Sequence, residues 1–326
     1  MKRTQQILAA VLIIQALLVA YVYWPKNTPA ASGEPLFTNL TTDQIVALTI
    51  DDDQGNHVEL ARNGDGWALP TADNYAIDSE KITPVLENIL AMKTGRLVAR
   101  NETSFPQLKV AENDFLRRVW FKDSNNKEYI FYVGTIAGAG ATHVRRADQT
   151  DVYLTDTLSS YDLGSMPKNW IDVNYVAIPT DQMEAMMFQN AKGTFEFAKT
   201  SDNVWSMKGL EGDEQFNQNN LMSMLTRLSG LQMTEPLGKT EKPEYGMDNP
   251  SAVITVLYKP TDGDEQKLVL TIGAQNPDDS SYVAYSDQSG YYVRLAGYTV
   301  QDFIDRDKSN FLVQEPTPTP EATTAP

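Results

Sequence analysis

The chain of 326 residues contains no cysteine. That absence excludes disulfides, zinc–thiolate and iron–sulfur sites, and thiol nucleophiles. It also removes the lipid-modified cysteine of a bacterial lipoprotein. Histidine is nearly missing too, with only His57 and His143 present. Basic residues are scarce: 27 Lys and Arg stand against 43 Asp and Glu, a net charge of -16. A chain this acidic repels phosphate backbones and anionic lipid surfaces, so no nucleic-acid partner is expected.

Known catalytic and cofactor signatures are also absent. No Gly-x-Ser-x-Gly elbow exists to seat a hydrolase serine. The run Gly134-Thr135-Ile136-Ala137-Gly138-Ala139-Gly140 follows a strand, as a phosphate loop would. It lacks Gly-Lys-Ser/Thr, and a strand rather than a helix comes next, so it reads as a turn. Acidic clusters at Asp51-Asp52-Asp53, Asp262-Gly263-Asp264-Glu265 and Asp278-Asp279 match no calcium-loop spacing. They fall where hairpin turns are expected, and Asp favours turns because its side chain bonds nearby backbone. Arg145-Arg146, with Arg117-Arg118, reads as a basic group paired with carboxylates. No catalytic, cofactor-binding or metal-binding residue is therefore assigned. The expectation is a protein that is not an enzyme and carries no cofactor, with a hydrolase using His143 as the enzymatic alternative.

What is present begins with Lys2-Arg3, then an uncharged apolar run from Ile7 to Trp24. Its 18 residues are just long enough to span a bilayer core. Tyr21, Tyr23 and Trp24 suit the headgroup level, and Lys2 and Arg3 should stay cytoplasmic. A cleavable signal peptide competes, but the best small-residue site, Ala30-Ala31-Ser32, lies too far beyond the run. The division expected is a cytoplasmic start over 1–6, a transmembrane anchor over 7–24 and a stalk over 25–39. The bulk of the chain is then extracellular or periplasmic. A Pro/Thr tail over 314–326 has nothing apolar to bury and is expected to be disordered.

Between stalk and tail the sequence repeats itself. Val58-Glu59-Leu60-Ala61 falls on Phe195-Glu196-Phe197-Ala198, and Trp67 on Trp205. Ile82, Leu86 and Ile89 fall on Leu221, Leu225 and Leu228; Phe131-Tyr132-Val133-Gly134 falls on Leu270-Thr271-Ile272-Gly273. His143-Val144 meets Tyr282-Val283, and Val152-Tyr153 meets Tyr291-Tyr292, both 139 positions on. Unit one is expected over 40–173, and the linker with unit two over 174–313.

Each unit reads as short strands with apolar–polar alternation, Gly/Asn/Asp turns and one amphipathic helix. Asp78 is the candidate cap of the first helix; Pro84 either kinks it or starts it with Thr83 as cap. A further short helix is expected near Thr157 to Leu163. Trp67 and Trp205 are expected in the core. The fold class is α+β: two tandem repeats of an antiparallel-sheet-plus-helix unit, preceded by one transmembrane helix.

Tyr245-Gly246-Met247-Asp248-Asn249-Pro250 precedes the strand Ala252 to Tyr258; the strand ending at Gly273 and then Tyr291-Tyr292-Val293 follow. With the Gly64-Asp65-Gly66-Trp67 turn, this resembles the bacterial family called domain of unknown function 4340. In unit one the matching site reads Leu108-Lys109-Val110. The resemblance implies a membrane-anchored companion of ABC-type transport systems related to gliding-motility components, and it carries no assigned catalytic residue. The expected function is a non-enzymatic accessory or interaction component of an ABC-type transport or cell-envelope assembly. The alternative is a ligand-binding ectodomain with its site at the junction of the two repeats.

Overall fold

The computed structural model describes residues 33–313, together with Leu12, Ile14 and Gln15. The expected cytoplasmic start, most of the anchor and the tail over 314–326 lie outside the described residues. Among those described, no helix is long and apolar enough to cross a membrane.

Within residues 33–313, two nine-stranded antiparallel sheets with four helices make an α+β fold. The first sheet contains β1 (Ile45–Asp52), β2 (His57–Asn63), β3 (Gly66–Leu69), β4 (Tyr75–Ala76), β5 (Leu97–Ala99), β6 (Arg117–Asp123), β7 (Glu128–Ile136), β8 (Thr142–Arg146) and β9 (Val152–Thr155). Its order is β4-β3-β2-β1-β6-β7-β8-β9-β5. The second contains β10 (Asn174–Val176), β11 (Met183–Asn190), β12 (Gly193–Lys199), β13 (Trp205–Met207), β14 (Leu231–Gly238), β15 (Ala252–Tyr258), β16 (Gln266–Gln275), β17 (Tyr282–Ser286) and β18 (Tyr292–Leu295). Read from its other edge, its order is β13-β12-β11-β15-β16-β17-β18-β14-β10. Eight consecutive strands thus follow one connection pattern in both sheets. In each, a helix follows the hairpin strands, and the strand after the helix joins the far side of the sheet, β5 beside β9 in the first and β14 beside β18 in the second.

Those helices are α1 (Ser79–Ala91) and α3 (Gln218–Leu228); the short α2 (Phe105–Leu108) and α4 (Gly297–Asp305) complete the set. Asp78 caps α1 by accepting from Glu80 N at 2.9 Å, and Pro84 lies inside the helix, so Thr83 is not its cap. Asn217 caps α3 in the same way. Ile82, Leu86 and Ile89 in α1, and Leu221, Leu225 and Leu228 in α3, are buried at 3.6-residue spacing. They join one continuous apolar cluster that also takes in Trp67 and Trp205. No helix forms over 157–163, contrary to the sequence expectation. There Asp162 Oδ2 accepts from both the backbone and the hydroxyl of Ser159, giving the chain a turn instead of a helical bond.

Two further expectations shift. Leu36 and Phe37, at the end of the stretch read as a stalk, are buried. Leu36 N donates to Met92 O, and Phe37 meets Phe121 edge-on at 5.0 Å. Residues 174–176, read as linker, form β10 on the edge of the second sheet. The ladders also move one correspondence. Val133 pairs with Val144, and Ile272 with Ala284. Position 144 therefore answers to 284, and 153 to 293, because the second hairpin is one residue longer.

The two halves touch directly. Asp73 Oδ2 accepts from Lys239 N at 2.6 Å, and Tyr75 meets Tyr291 edge-on at 4.9 Å. Gly238 sits at φ +103°, and a Cβ there would lie 2.6 Å from the Asp73 carboxylate. That position admits only glycine without rearrangement.

The β1–β2 turn depends on Asp52. Its Oδ1 accepts from Gln54 N and Asn56 N, each at 2.9 Å; its Oδ2 accepts from Asn56 Nδ2 at 2.8 Å and Ser165 Oγ at 2.6 Å. Burial alone would raise its pKa, but the hydrogen bonds from Ser165, Asn56 and Gln54 outweigh that and hold it at about 2. A depressed folded pKa contributes stability above the ordinary value of 3.8, lost as pH falls through about 2. Asp52→Ala should therefore cost about 1–3 kcal/mol in urea unfolding at pH 7. The gap to wild type should narrow between about pH 4 and pH 2, as wild type loses the same interaction.

Candidate functional site: the outer sheet faces

Alternation along the strands gives each sheet an outer face opposite the main core. Part of each face is sealed by the chain itself. Over the first sheet, the segment around α2 covers Tyr132 and Val152 and forms a small separate cluster with Phe105 and Val110. Over the second, the turn Pro243–Tyr245 sets Tyr245 on Val283 and Tyr292.

Both covers press on a glycine. A Cβ on Gly134 would lie 2.0 Å from Leu108 O, and one on Gly273 would lie 2.1 Å from Tyr245 O. The covering backbone turns away at Lys109 and Gly246, both left-handed with φ +57° and +67°. This explains why only the first glycine of the Gly134–Gly140 run has a counterpart. Gly134 is a contact point inside β7, and the rest of the run is hairpin.

Arg145 pins the first cover. Its guanidinium lies 4.1 Å from the Phe105 ring and 4.7 Å from the Tyr132 ring. Nε donates to Val110 O at 2.8 Å, and Nη1 to Gln149 O at 3.0 Å. Burial lowers its pKa below the ordinary arginine value. The expected carboxylate partner is not what holds it; backbone carbonyls and ring faces are. Arg146 does pair with a carboxylate, Asp148 at 2.6 Å, and Arg118 meets Asp51 at 2.9 Å. The second sheet places Tyr285 where the ladder of the first has Arg145, its ring tilted against Tyr292 at 4.7 Å.

Neither histidine sits in a hydrolytic constellation. His143 is buried, and its Nδ1 lies 2.7 Å from Thr135 O and 3.1 Å from Thr135 Oγ1. His57 opens β2 on the outer face, its Nδ1 2.6 Å from Asp51 Oδ1 and its Nε2 3.2 Å from Glu59 Oε1. The hydrogen bond to Asp51 raises its pKa above 6.5, against the opposing effect of burial, with Glu59 adding to the rise. Among the described residues, no group of three or more His, Asp or Glu side chains is arranged to hold a metal.

Each face also has an open part, hollowed at the same place. Ala47 pairs with Ala61 across β1 and β2, and Ala185 pairs with Ala198 across β11 and β12. Two small side chains opposite one another leave a depression between taller neighbours. On the first sheet the hollow is about 410 Å³ and mixed, with Trp120, Arg118 and Glu59 around it. On the second it is about 450 Å³ and apolar, with Met187, Leu257 and Thr255 beside the alanines. The Glu196–Lys208 pair, 2.8 Å apart, stands at one end, and Lys267 lines the other. Sequence reasoning missed this surface, although a signal existed. Ala185-Met186-Met187-Phe188 is apolar at four successive positions, the pattern of a strand with apolar groups on both faces.

The fold and its outer surfaces define a two-sheet α+β protein with partly capped faces. The family model described as domain of unknown function (DUF4340) matches this chain twice, over residues 67–250 and 215–321. The chain belongs to that family. No curated protein matches it, and no solved structure does.

Gly134→Ala and Gly273→Ala should each destabilise the protein by about 1–3 kcal/mol, read by chemical denaturation. Amide exchange should rise over 105–111 in the first variant and over 243–247 in the second. The His57 imidazole should titrate above pH 6.5 by NMR, and Asp51→Asn should bring its midpoint down. Any stability from the raised pKa is complete below 6.5 and fades as pH climbs through the folded value.

Proposed function

We propose that this chain is a membrane-anchored, extracytoplasmic protein built from two copies of one unit. It serves as a non-enzymatic interaction component of an ABC-type transport or cell-envelope assembly. The apolar run over 7–24 behind Lys2-Arg3 supports the anchor and its orientation. The common strand order of the two sheets supports the duplication. The observation that carries the interaction role is the open apolar hollow on the second sheet, where Met187 stands 38% exposed beside Leu257.

A ligand-binding reading has one observation of its own. A more polar groove of about 570 Å³ lies beside the connecting segment, lined by Lys168, Asn169, Gln232 and Tyr298. The direct junction between the halves, by contrast, is occupied by Asp73, Tyr75 and Tyr291. An enzymatic role for His143 has less behind it, since its Nδ1 faces the Thr135 carbonyl and hydroxyl rather than a carboxylate.

Affinity purification of the full chain from gently solubilised membranes should co-purify subunits of a transport or envelope complex in fixed ratio. Repeated recovery of the chain alone would count against the interaction role. Partition of the chain into the soluble fraction would count against the anchor.

A further inference from the structure

Resting on that interaction role, we propose that the hollow on the second sheet receives an amphipathic helix of a partner protein, apolar along one face and acidic at the end that meets Lys267. The depression runs across the strands, from β13 through β12, β11 and β15 to β16. An added strand pairs with a sheet edge, so a trough crossing five strands calls for a different occupant. Four strand spacings make it roughly 19 Å long. A helix of about 13 residues has that length, and its diameter of about 10 Å suits a floor lowered by paired alanines.

The lining fits the same occupant. Ala185 and Ala198 form the floor, while Met187, 38% exposed, and Leu257 rise beside it. An unbranched methionine adapts its shape to an incoming apolar ridge. The protein's own architecture offers a precedent for a cover on this face. The remainder of the same outer face is sealed by the turn Pro243–Tyr245, whose tyrosine presses on Val283 and Tyr292.

Charge selects one end of the partner. On a chain of net charge -16, the trough ends in Lys208 and Lys267. Lys208 is shared with Glu196, and Lys267 has no ion pair among the described residues. A carboxylate set down at the Lys267 end would meet an ammonium within the screening distance of about 8 Å, where local charge outweighs the distant net charge, whereas the Lys208 end is a neutral pair with Glu196. A helix with basic ends would place like charge against Lys267.

The test uses the full chain in detergent and two synthetic 14-residue helices with the same leucine face, one ended by Glu and the other by Lys. Fluorescence anisotropy should show the Glu-ended helix binding at least about tenfold more tightly, a difference of about 1.4 kcal/mol. Lys267→Glu should remove that preference, and Leu257→Glu should abolish binding of both helices while leaving the thermal midpoint near wild type. Equal binding of the two helices, or none by either, overturns the proposal. So does binding that survives Leu257→Glu. Purification of the Leu257→Glu chain from membranes separates this proposal from the broader one. Partner subunits still recovered with the variant would sink the trough and leave the interaction role standing; subunits recovered only with wild type support both. No partner with either chain removes the broader role.

Discussion

The constraint on which the outer surfaces depend is a carbonyl lying against a glycine. Leu108 O over Gly134 and Tyr245 O over Gly273 leave no room for a Cβ, so two covering segments settle flat on two sheets. Once seated, each cover removes a set of aromatic and aliphatic side chains from water and lets the inner core carry the remaining burial. The same contact divides each face. One part becomes interior, and the other stays available to something else.

The covers are fastened differently. In the first half a guanidinium lies between two rings and reaches out to carbonyls of the covering segment and the neighbouring hairpin. In the second, tyrosine rings pack against one another in its place. A buried cation held only by carbonyl oxygens and ring faces is costly to desolvate, and its donors must all be used for the site to be tolerable. The tyrosine version avoids the buried charge. The two halves thus solve one packing problem with different chemistry, and the open hollows diverge as well. One is ringed by Arg118, Glu59 and Trp120, the other floored by alanine, methionine and leucine.

Much of the fold was legible because it rests on local rules. Asp78 before an apolar stripe gave the first helix, and Gly, Asn and Asp clusters gave the hairpins. Trp67 and Trp205 were readable as core residues from their matched positions. What was not legible depended on contacts far along the chain. Leu36 and Phe37 follow a polar, proline-containing stretch and look like its continuation, yet a strand-like bond to Met92 and an aromatic nest draw them in. The helix expected over 157–163 lost to a serine–aspartate turn, a competition that periodicity does not register. β5 was missed because Leu97-Val98-Ala99 is too short to show alternation. The hollow escaped notice because alanine pairs across strands are invisible until the register is known.

The way residues 34–37 enter the body bears on mechanics. Leu36 N donates to Met92 O, Thr94 N donates to Glu34 O, and Phe37 is wedged among Phe121, Tyr129 and Phe131. A pull on the chain from its N-terminal side therefore meets backbone hydrogen bonds and a ring wedge before it reaches β1. Load entering at Glu34 is thereby shared with the segment after α1 and with β6 and β7, the strands that carry Phe121, Tyr129 and Phe131.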